Sequence, residues 1–504
     1  MQIRQTPLVH QQVTIMAMND ALRETAKALL HSAPASVEIP AGTGKTHLLA
    51  AAVAIAGENE GRSLILTHTH AGVDAIRKRL ADFGVRPEMF RVETISSWAY
   101  SLAGAYSDIA EIEVEEVPDW SNSREYVSGA TKVASSTALQ YVHHVSFDYL
   151  FIDEYQDCTV DQHEFIRSVA ASVPKTIVFG DRLQAIFGFG DNVLITWETH
   201  VLPEFPTFEV ESVPHRWKGH NEDLGDWLLQ LRPNLVVGRT FDLAGLSITG
   251  LTHVSDTSPR SVAAVAHSFR DFDESVVLID KWPDDVASHA SRLGGSYSVM
   301  EDINGNFMRD LLTGNSRSRI MALPSEGEPS LALWFAQFAK ACIVGLGNID
   351  NPVLVKLQND QSLGRLSRVG LESVLDALEQ LRVNPTYEQL AIAAAVVRSV
   401  SSLKIFRWEA WNHTLESIRL SIENGKPPIE NLRSIRERLR RTGRTGHNRI
   451  ASRTLLIKGL EYDHVIIANL DKITDRRNLY VALSRARKTI TIIGSRSSIV
   501  LTDD

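Results

Sequence analysis

The sequence predicts an α/β fold built on parallel sheets, and three stretches carry that prediction. The segment YLFI at 149–152 reads as an apolar strand that ends abruptly in Asp153-Glu154-Tyr155-Gln156-Asp157. Such a strand delivers carboxylates to the carboxyl edge of a parallel sheet, where doubly wound folds bind their ligands. Upstream, IPAGTGKT at 39–46 is a glycine-rich turn between a candidate strand at 35–39 and an alanine-rich helical run at 46–56. The third stretch, SLILTHTH at 63–70 followed by the helical AGVDAIRKRLADF, continues the alternation. Strand, loop, helix, strand, helix is the opening of a parallel nucleotide-binding sheet.

The two ends of this sheet supply complementary chemistry. In Pro40-Ala41-Gly42-Thr43-Gly44-Lys45-Thr46, the glycines let backbone N–H groups wrap phosphate oxygens, and the following helix N-terminus adds positive potential. Lys45 would reach the β- and γ-phosphates of ATP, and the Thr46 hydroxyl would ligate Mg2+. Ile39 stands where the full phosphate-loop pattern has a small residue. Asp153 would sit on the same magnesium ion, and Glu154 would orient a water for attack on a phosphate. A further strand at 175–179 brings Asp181 and Gln184 to the same edge. There they could sense the γ-phosphate and pass its presence to Phe187 and Phe189. That aromatic pair reads either as core or as a platform for bases, worth ~1–3 kcal/mol per stacked base.

Composition sets the bounds. The chain has 504 residues, enough for roughly three or four subdomains. It is 44% apolar and 22% charged, as in a soluble globular protein. No apolar run reaches the ~18 residues of a membrane span. The N-terminus MQIRQTPLVHQQVT lacks a basic start and an apolar core, so no signal peptide is expected. Two cysteines, Cys158 and Cys342, make neither a disulfide framework nor a zinc site, which fits a reducing cytoplasm. The net charge of −9 argues against a uniformly basic surface but leaves room for a local basic groove.

The remaining elements fall between these landmarks. Residues 10–32 are expected to form a helix, and Val92–Ala99 a strand running into a helix. Residues 108–119 carry Asp108, Glu111, Glu113, Glu115, Glu116 and Asp119, and read as a small insertion with a solvated acidic face. At 276–293 and 464–468, strand and helix signals recur, as for a second α/β domain. The arginine-rich 431–449 begins as a basic amphipathic helix with Leu432, Ile435 and Leu439 as its apolar stripe. Its arginines read equally as a solvated face or as a salt-dependent phosphate contact.

Taken together, the motifs resemble the UvrD/Rep-like branch of superfamily 1 DNA helicases. PAGTGKT resembles the first motif, LTHTHAGVDAIRKRL the second, and VETISSWA the threonine-containing DNA contact. IDEYQD resembles the magnesium motif and GDRLQAIFGF the coupling motif. HRW at 215–217 stands in place of an asparagine-tyrosine-arginine motif, KGLEYD at 458–463 resembles the fifth, and YVALSRAR at 480–487 the last. The ordered set spans 39–487.

The resemblance implies two RecA-like P-loop NTPase domains with parallel sheets, each interrupted by a smaller, mostly helical insertion. The first would comprise 1–100 and 146–207, with an insertion at 101–145. The second would comprise 208–310 and 440–504, with a helical insertion at 311–439. It implies an ATP hydrolase that moves on single-stranded DNA, 3′ to 5′, with Lys45, Asp153, Glu154, Gln184, Arg216 and Arg485 as the catalytic set. The two arginines would be delivered from the second domain to the transferring phosphoryl group. His215 would stack on adenine, while Gly459 and Glu461 would meet the ribose side. Thr69, His70, Thr94, Trp98, Phe187, Phe189 and Thr454 would line the DNA path; Trp217 has no such support from the family and reads as core. The chain departs from the pattern at Gly190, Ser96 and Arg453-Thr454, and has no clearly placed adenine-reading glutamine. A second reading is a DNA-activated ATPase switch that regulates a partner such as a nuclease. Small helicases of this layout stand beside nucleases in bacterial anti-phage systems such as Gabija, and a fused nuclease is not expected after Arg487.

Overall fold

The computed structural model describes residues 18–502 apart from 189–192, 239, 272, 317–319, 365, 443, 445 and 446. The chain divides into two compact units, one ending at Lys218 and the other beginning at Gly219. Residues 208–218, expected with the second domain, therefore fold with the first.

The first unit is a five-stranded sheet of β1 (Ala35–Glu38), β2 (Ser63–Thr67), β3 (Phe90–Thr94), β4 (Tyr149–Ile152) and β5 (Lys175–Gly180). The strand order is β1-β5-β4-β2-β3, and every neighbouring pair is parallel. Parallel strands with both faces covered read as continuous apolar runs, which is why SLILT and YLFI show no polar alternation. Alternate residues feed two cores. Leu64, Leu66, Leu150, Ile152 and Val178 enter one, and Ile65, Phe151, Ile177 and Phe179 the other. Helix Lys45–Glu58 lies in the second core with every residue from Leu48 to Ala56 buried, which explains its alanine-rich, all-apolar sequence.

The helix expected over 10–32 is observed as Asp20–His31, capped by the Asn19 side chain; residues before 18 lie outside the described set. The acidic insertion is helical, at Ser107–Ala110, Ser123–Ser135 and Thr137–Ser146. Val127, Ala130, Val133 and Leu139 share the first core with the sheet, while Glu111, Glu113, Glu115 and Glu116 face solvent as expected.

The second unit holds a six-stranded sheet in the spatial order Leu251–Val254, Ala486–Ile493, Tyr462–Ile467, Val276–Ile279, Arg449–Ser452 and Ser298–Val299, parallel throughout. Between its third and fourth strands in sequence, 298–299 and 449–452, lie helices from Asn306 to Thr442 with an aromatic core of their own. There Phe338 stacks on Trp411 at 4.9 Å and on Trp334 at 5.2 Å between ring centroids. No helix among the described residues is long and apolar enough to cross a membrane.

The basic helix, observed at Pro428–Thr442, is not the uniform phosphate-facing surface that its composition allowed. Arg436 is buried and donates to Glu409 at 2.9 Å and to the Ile303 and Asp302 carbonyls. Arg444 pairs with the same Glu409 at 3.3 Å, and Arg440 bonds Asn304. These side chains tie the end of the insertion back to the 301–304 loop, while Arg433 and Arg438 remain exposed.

Candidate active site

The phosphate loop follows β1, whose exit is fixed by the Ile39 amide donating to the Gly180 carbonyl at 3.0 Å. Gly42 and Gly44 have φ of +77° and +97°, the left-handed region that only glycine occupies without strain. Thr43 closes the turn by donating its hydroxyl to the Pro40 carbonyl at 2.8 Å. Pro40 and Ala41 are buried beneath it. No side chain caps the helix at Gly44, so its N-terminus is open to an anion.

Lys45, the first residue of that helix, is 9% exposed and points at the end of β4. Its Nζ lies 2.5 Å from Glu154 Oε1 and 3.7 Å from Asp153 Oδ1. Burial works against its charge, but the two carboxylates outweigh that penalty and raise its pKa. Burial raises the Asp153 pKa, with Lys45 opposing and Glu154 reinforcing the shift. Thr46 is half-buried at the same helix start. One buried carboxylate and one hydroxyl form a hard-oxygen donor set that suits a divalent ion shared with phosphates. The described residues contain no cluster of three or more His, Cys, Asp or Glu able to hold a metal unaided.

Glu154 adopts φ +56°, a strained conformation for a non-glycine residue and one that turns its carboxylate back over the loop. The Gln156 amide links it to the next strand. Gln156 Nε2 donates to Glu154 Oε2 at 2.5 Å, and its Oε1 accepts from the Asp181 backbone N–H at 2.9 Å. Asp181 is fully buried and accepts from Gln184 Nε2 at 3.1 Å. Glu154, Gln156, Asp181 and Gln184 thus form one hydrogen-bonded row across the carboxyl edge. Gln156, the fifth residue of the IDEYQD motif, has no role legible from sequence alone. Gln156→Leu is expected to lower kcat by roughly 10–100-fold with little change in KM, because Glu154 loses its orienting contact. Steady-state ATP hydrolysis checks this.

Behind the acidic turn, the buried Tyr155 hydroxyl and His163 Nδ1 lie 2.7 Å apart. Burial, then His200 and Arg167, push the His163 pKa down to about 4. The ring is therefore neutral in the folded state where an unfolded histidine, near 6.5, would already be charged. Stability is then expected to fall by about 1.4 kcal/mol per pH unit as pH drops from about 6.5 to 4, from this group alone. In His163→Asn, chemical unfolding across that range should show a shallower acid slope.

The HRW segment folds onto the phosphate loop instead of joining the second unit. The Arg216 backbone N–H donates to the Gly42 carbonyl at 2.9 Å. A Cβ on Gly42 would lie 2.9 Å from Arg216 Cβ and from the Trp217 ring, and one on Gly44 would meet the His215 ring at 3.2 Å. Arg216 and His215 therefore stand beside the loop, and Trp217, 1% exposed, is core as expected.

The other expected residues are placed as follows. Gly459 (φ +83°) and Glu461 are exposed in the second unit. Thr454, in the same unit, is buried at the start of a short helical turn. Arg485 is 1% exposed, with Nε on the Val481 carbonyl at 3.0 Å and NH2 on Ser484 Oγ at 2.9 Å. In the first unit, Thr69 and His70 open helix His70–Asp82, with the Thr69 hydroxyl capping it. Thr94 is buried, and its hydroxyl caps helix Ile95–Ala105. Trp98, expected along a DNA path, is only 6% exposed and has Arg91 over its ring at 4.5 Å. Its ring is packed rather than presented for stacking, because the helix begins directly at the end of β3 and turns this residue inward. Phe187 is half-buried, and Phe189 lies outside the described residues.

Two family models match the chain. One, described as an AAA domain, covers residues 23–190, which hold the phosphate loop, Asp153, Glu154 and Gln184. The other, described as the viral superfamily 1 RNA helicase core domain, covers residues 415–494, which hold Thr454, Glu461 and Arg485. No curated protein matches the chain. Among solved structures, the crystal structure of Pif1 helicase from Candida albicans aligns over 95% of each chain at 12% identity and a TM-score of 0.40. With an ATPase-type phosphate site in one parallel-sheet unit and a helicase-core match in the other, the chain carries domains similar to those of superfamily 1 helicases and is an ATP-hydrolysing enzyme.

Proposed function

We propose that this enzyme uses ATP to move along single-stranded DNA, in the 3′-to-5′ sense that its UvrD/Rep-like motifs imply. The observation that carries the catalytic half is the Lys45–Glu154–Asp153 cluster set against a loop with two left-handed glycines. Lys45 and the loop amides neutralise the phosphate oxygens, and Glu154 holds the attacking water and takes its proton. Asp153 and Thr46 would hold a Mg2+ ion, which would supply charge neutralisation to the nucleotide phosphates. Gln184 reads the nucleotide state through Asp181 and Gln156.

Lys45 pairs with Glu154, so the incoming phosphates must compete for the lysine before the carboxylate can act. Arg216, anchored beside Gly42, donates its planar fork to the transferring phosphoryl group. The family resemblance gives Arg485 the same role, which it can take only once its guanidinium leaves Val481 and Ser484. The same resemblance assigns His215 to the adenine and Gly459 and Glu461 to the ribose side of the nucleotide. Thr69, His70, Thr94, Phe187 and Thr454 belong to the DNA path, with Thr94 and Thr454 shaping its backbone more than touching the strand. Trp98 offers that path no stacking face, because its ring is packed.

Unwinding of duplexes with 3′ tails, 5′ tails and RNA tails tests the polynucleotide half. ATP-dependent separation of the 3′-tailed DNA duplex alone is expected. A preference for the 5′ tail overturns the direction, and a preference for RNA overturns the substrate.

A further inference from the structure

At the amino ends of β2 and β3, opposite the phosphate loop, the first unit has a half-open pocket of about 430 Å3. Ser63 and Phe90, the paired first residues of those strands, form part of its wall. Trp98, Leu102, Leu139 and Val142 supply apolar lining from the two helices packed there, Phe147 adds to it just beyond the second, and Arg62, Glu88 and Arg91 also line the pocket. A volume of this size lies within the range of small-molecule sites.

Two polar side chains in this lining have no protein partner among the described residues. His143 is 2% exposed, yet neither Nδ1 nor Nε2 is hydrogen-bonded. Trp98 is 6% exposed, and its indole Nε1 is likewise unpartnered. Their rings stand 6.2 Å apart, so the two sets of polar atoms belong to one locus. Buried groups of this kind are rare, because each lost hydrogen bond costs free energy. Burial lowers the His143 pKa, so the ring is neutral and carries one donor and one acceptor. The indole N–H adds a second donor.

We propose that this pocket binds a nucleobase: a flat ring with apolar faces and a donor beside an acceptor on one edge. The apolar lining covers the faces, and His143 with the Trp98 N–H reads the edge. The base comes either from a free nucleoside or from a residue of a bound single strand. The site is separate from the ATP site, and the inference does not depend on the reaction proposed there.

Calorimetric titration of the full chain with adenosine, guanosine, cytidine and uridine tests it, alongside a short single-stranded DNA and indole as a ring without the acceptor edge. His143→Leu keeps the volume, removes an unsatisfied polar group and should fold with an equal or higher melting temperature and unchanged basal ATP turnover. The expected result is nucleoside binding with a dissociation constant below about 1 mM. It should weaken at least about tenfold in His143→Leu and stay unchanged in Lys45→Ala. If nucleosides do not bind but the single strand does, and its affinity falls in His143→Leu, the base comes from the strand and the proposal stands. Affinities for nucleosides and strand that ignore His143→Leu overturn it. So does indole binding as tightly as the nucleosides, or nucleoside binding lost in Lys45→Ala.

Discussion

Glu154→Gln is expected to slow ATP turnover by about 100- to 10,000-fold, the range for losing a positioned general base. ATP affinity should hold or rise. The amide keeps the shape of the side chain and its contact with Gln156, so the row to Gln184 survives. What disappears is the proton acceptor and the 2.5 Å ion pair with Lys45. Lys45 then faces only Asp153, at 3.7 Å, and no longer has to be drawn from Glu154 by the incoming phosphates. Single-turnover hydrolysis and equilibrium nucleotide binding, measured on the same preparation, separate the two effects. A loss of turnover below about tenfold would remove Glu154 from its assigned role. Weakened binding would mean that the carboxylate acts through the site's architecture instead.

Arg216→Ala is expected to cost about 1,000-fold or more in kcat, the scale of an arginine supplied to a transferring phosphoryl group. KM should move only several-fold, since the interaction strengthens chiefly in the transition state. The substitution leaves the main-chain anchor of this segment in place. The residue's backbone N–H still reaches Gly42, and Trp217 still packs beneath the loop. Arg216→Lys should recover little, because an ammonium lacks the planar two-pronged donor. Equal losses in Arg216→Ala and in ATP affinity would instead describe a ground-state contact.

Much of the fold was legible because its signals are local. Strands covered on both faces must be continuously apolar, and the phosphate loop needs glycine at positions 42 and 44 whatever surrounds it. The acidic end of β4 follows from strand geometry alone. What escaped depends on distant partners. Arg216 is legible by its motif, but its place beside Gly42 depends on the chain folding back there, so residues 208–218 were expected with the second domain and lie with the first. Arg436 and Arg444 look like a phosphate-binding stripe until Glu409 and the 301–304 loop meet them. Trp98 sits in a motif whose threonine caps a helix, and that cap fixes the inward direction of the ring. Gln156 lay in plain view within the acidic motif, but its role needs the neighbouring strand to supply Asp181. Arg485 shows the converse case, a residue legible by its motif and yet held by its own unit in this structure.

The most direct test of the central claim is the rate of ATP hydrolysis by the purified chain with and without single-stranded DNA. A motor that couples nucleotide turnover to a strand should hydrolyse slowly alone and accelerate by at least about tenfold when the strand saturates it. Glu154→Gln should abolish both rates. Hydrolysis that is absent in both conditions, or that proceeds equally with and without a polynucleotide, would contradict it.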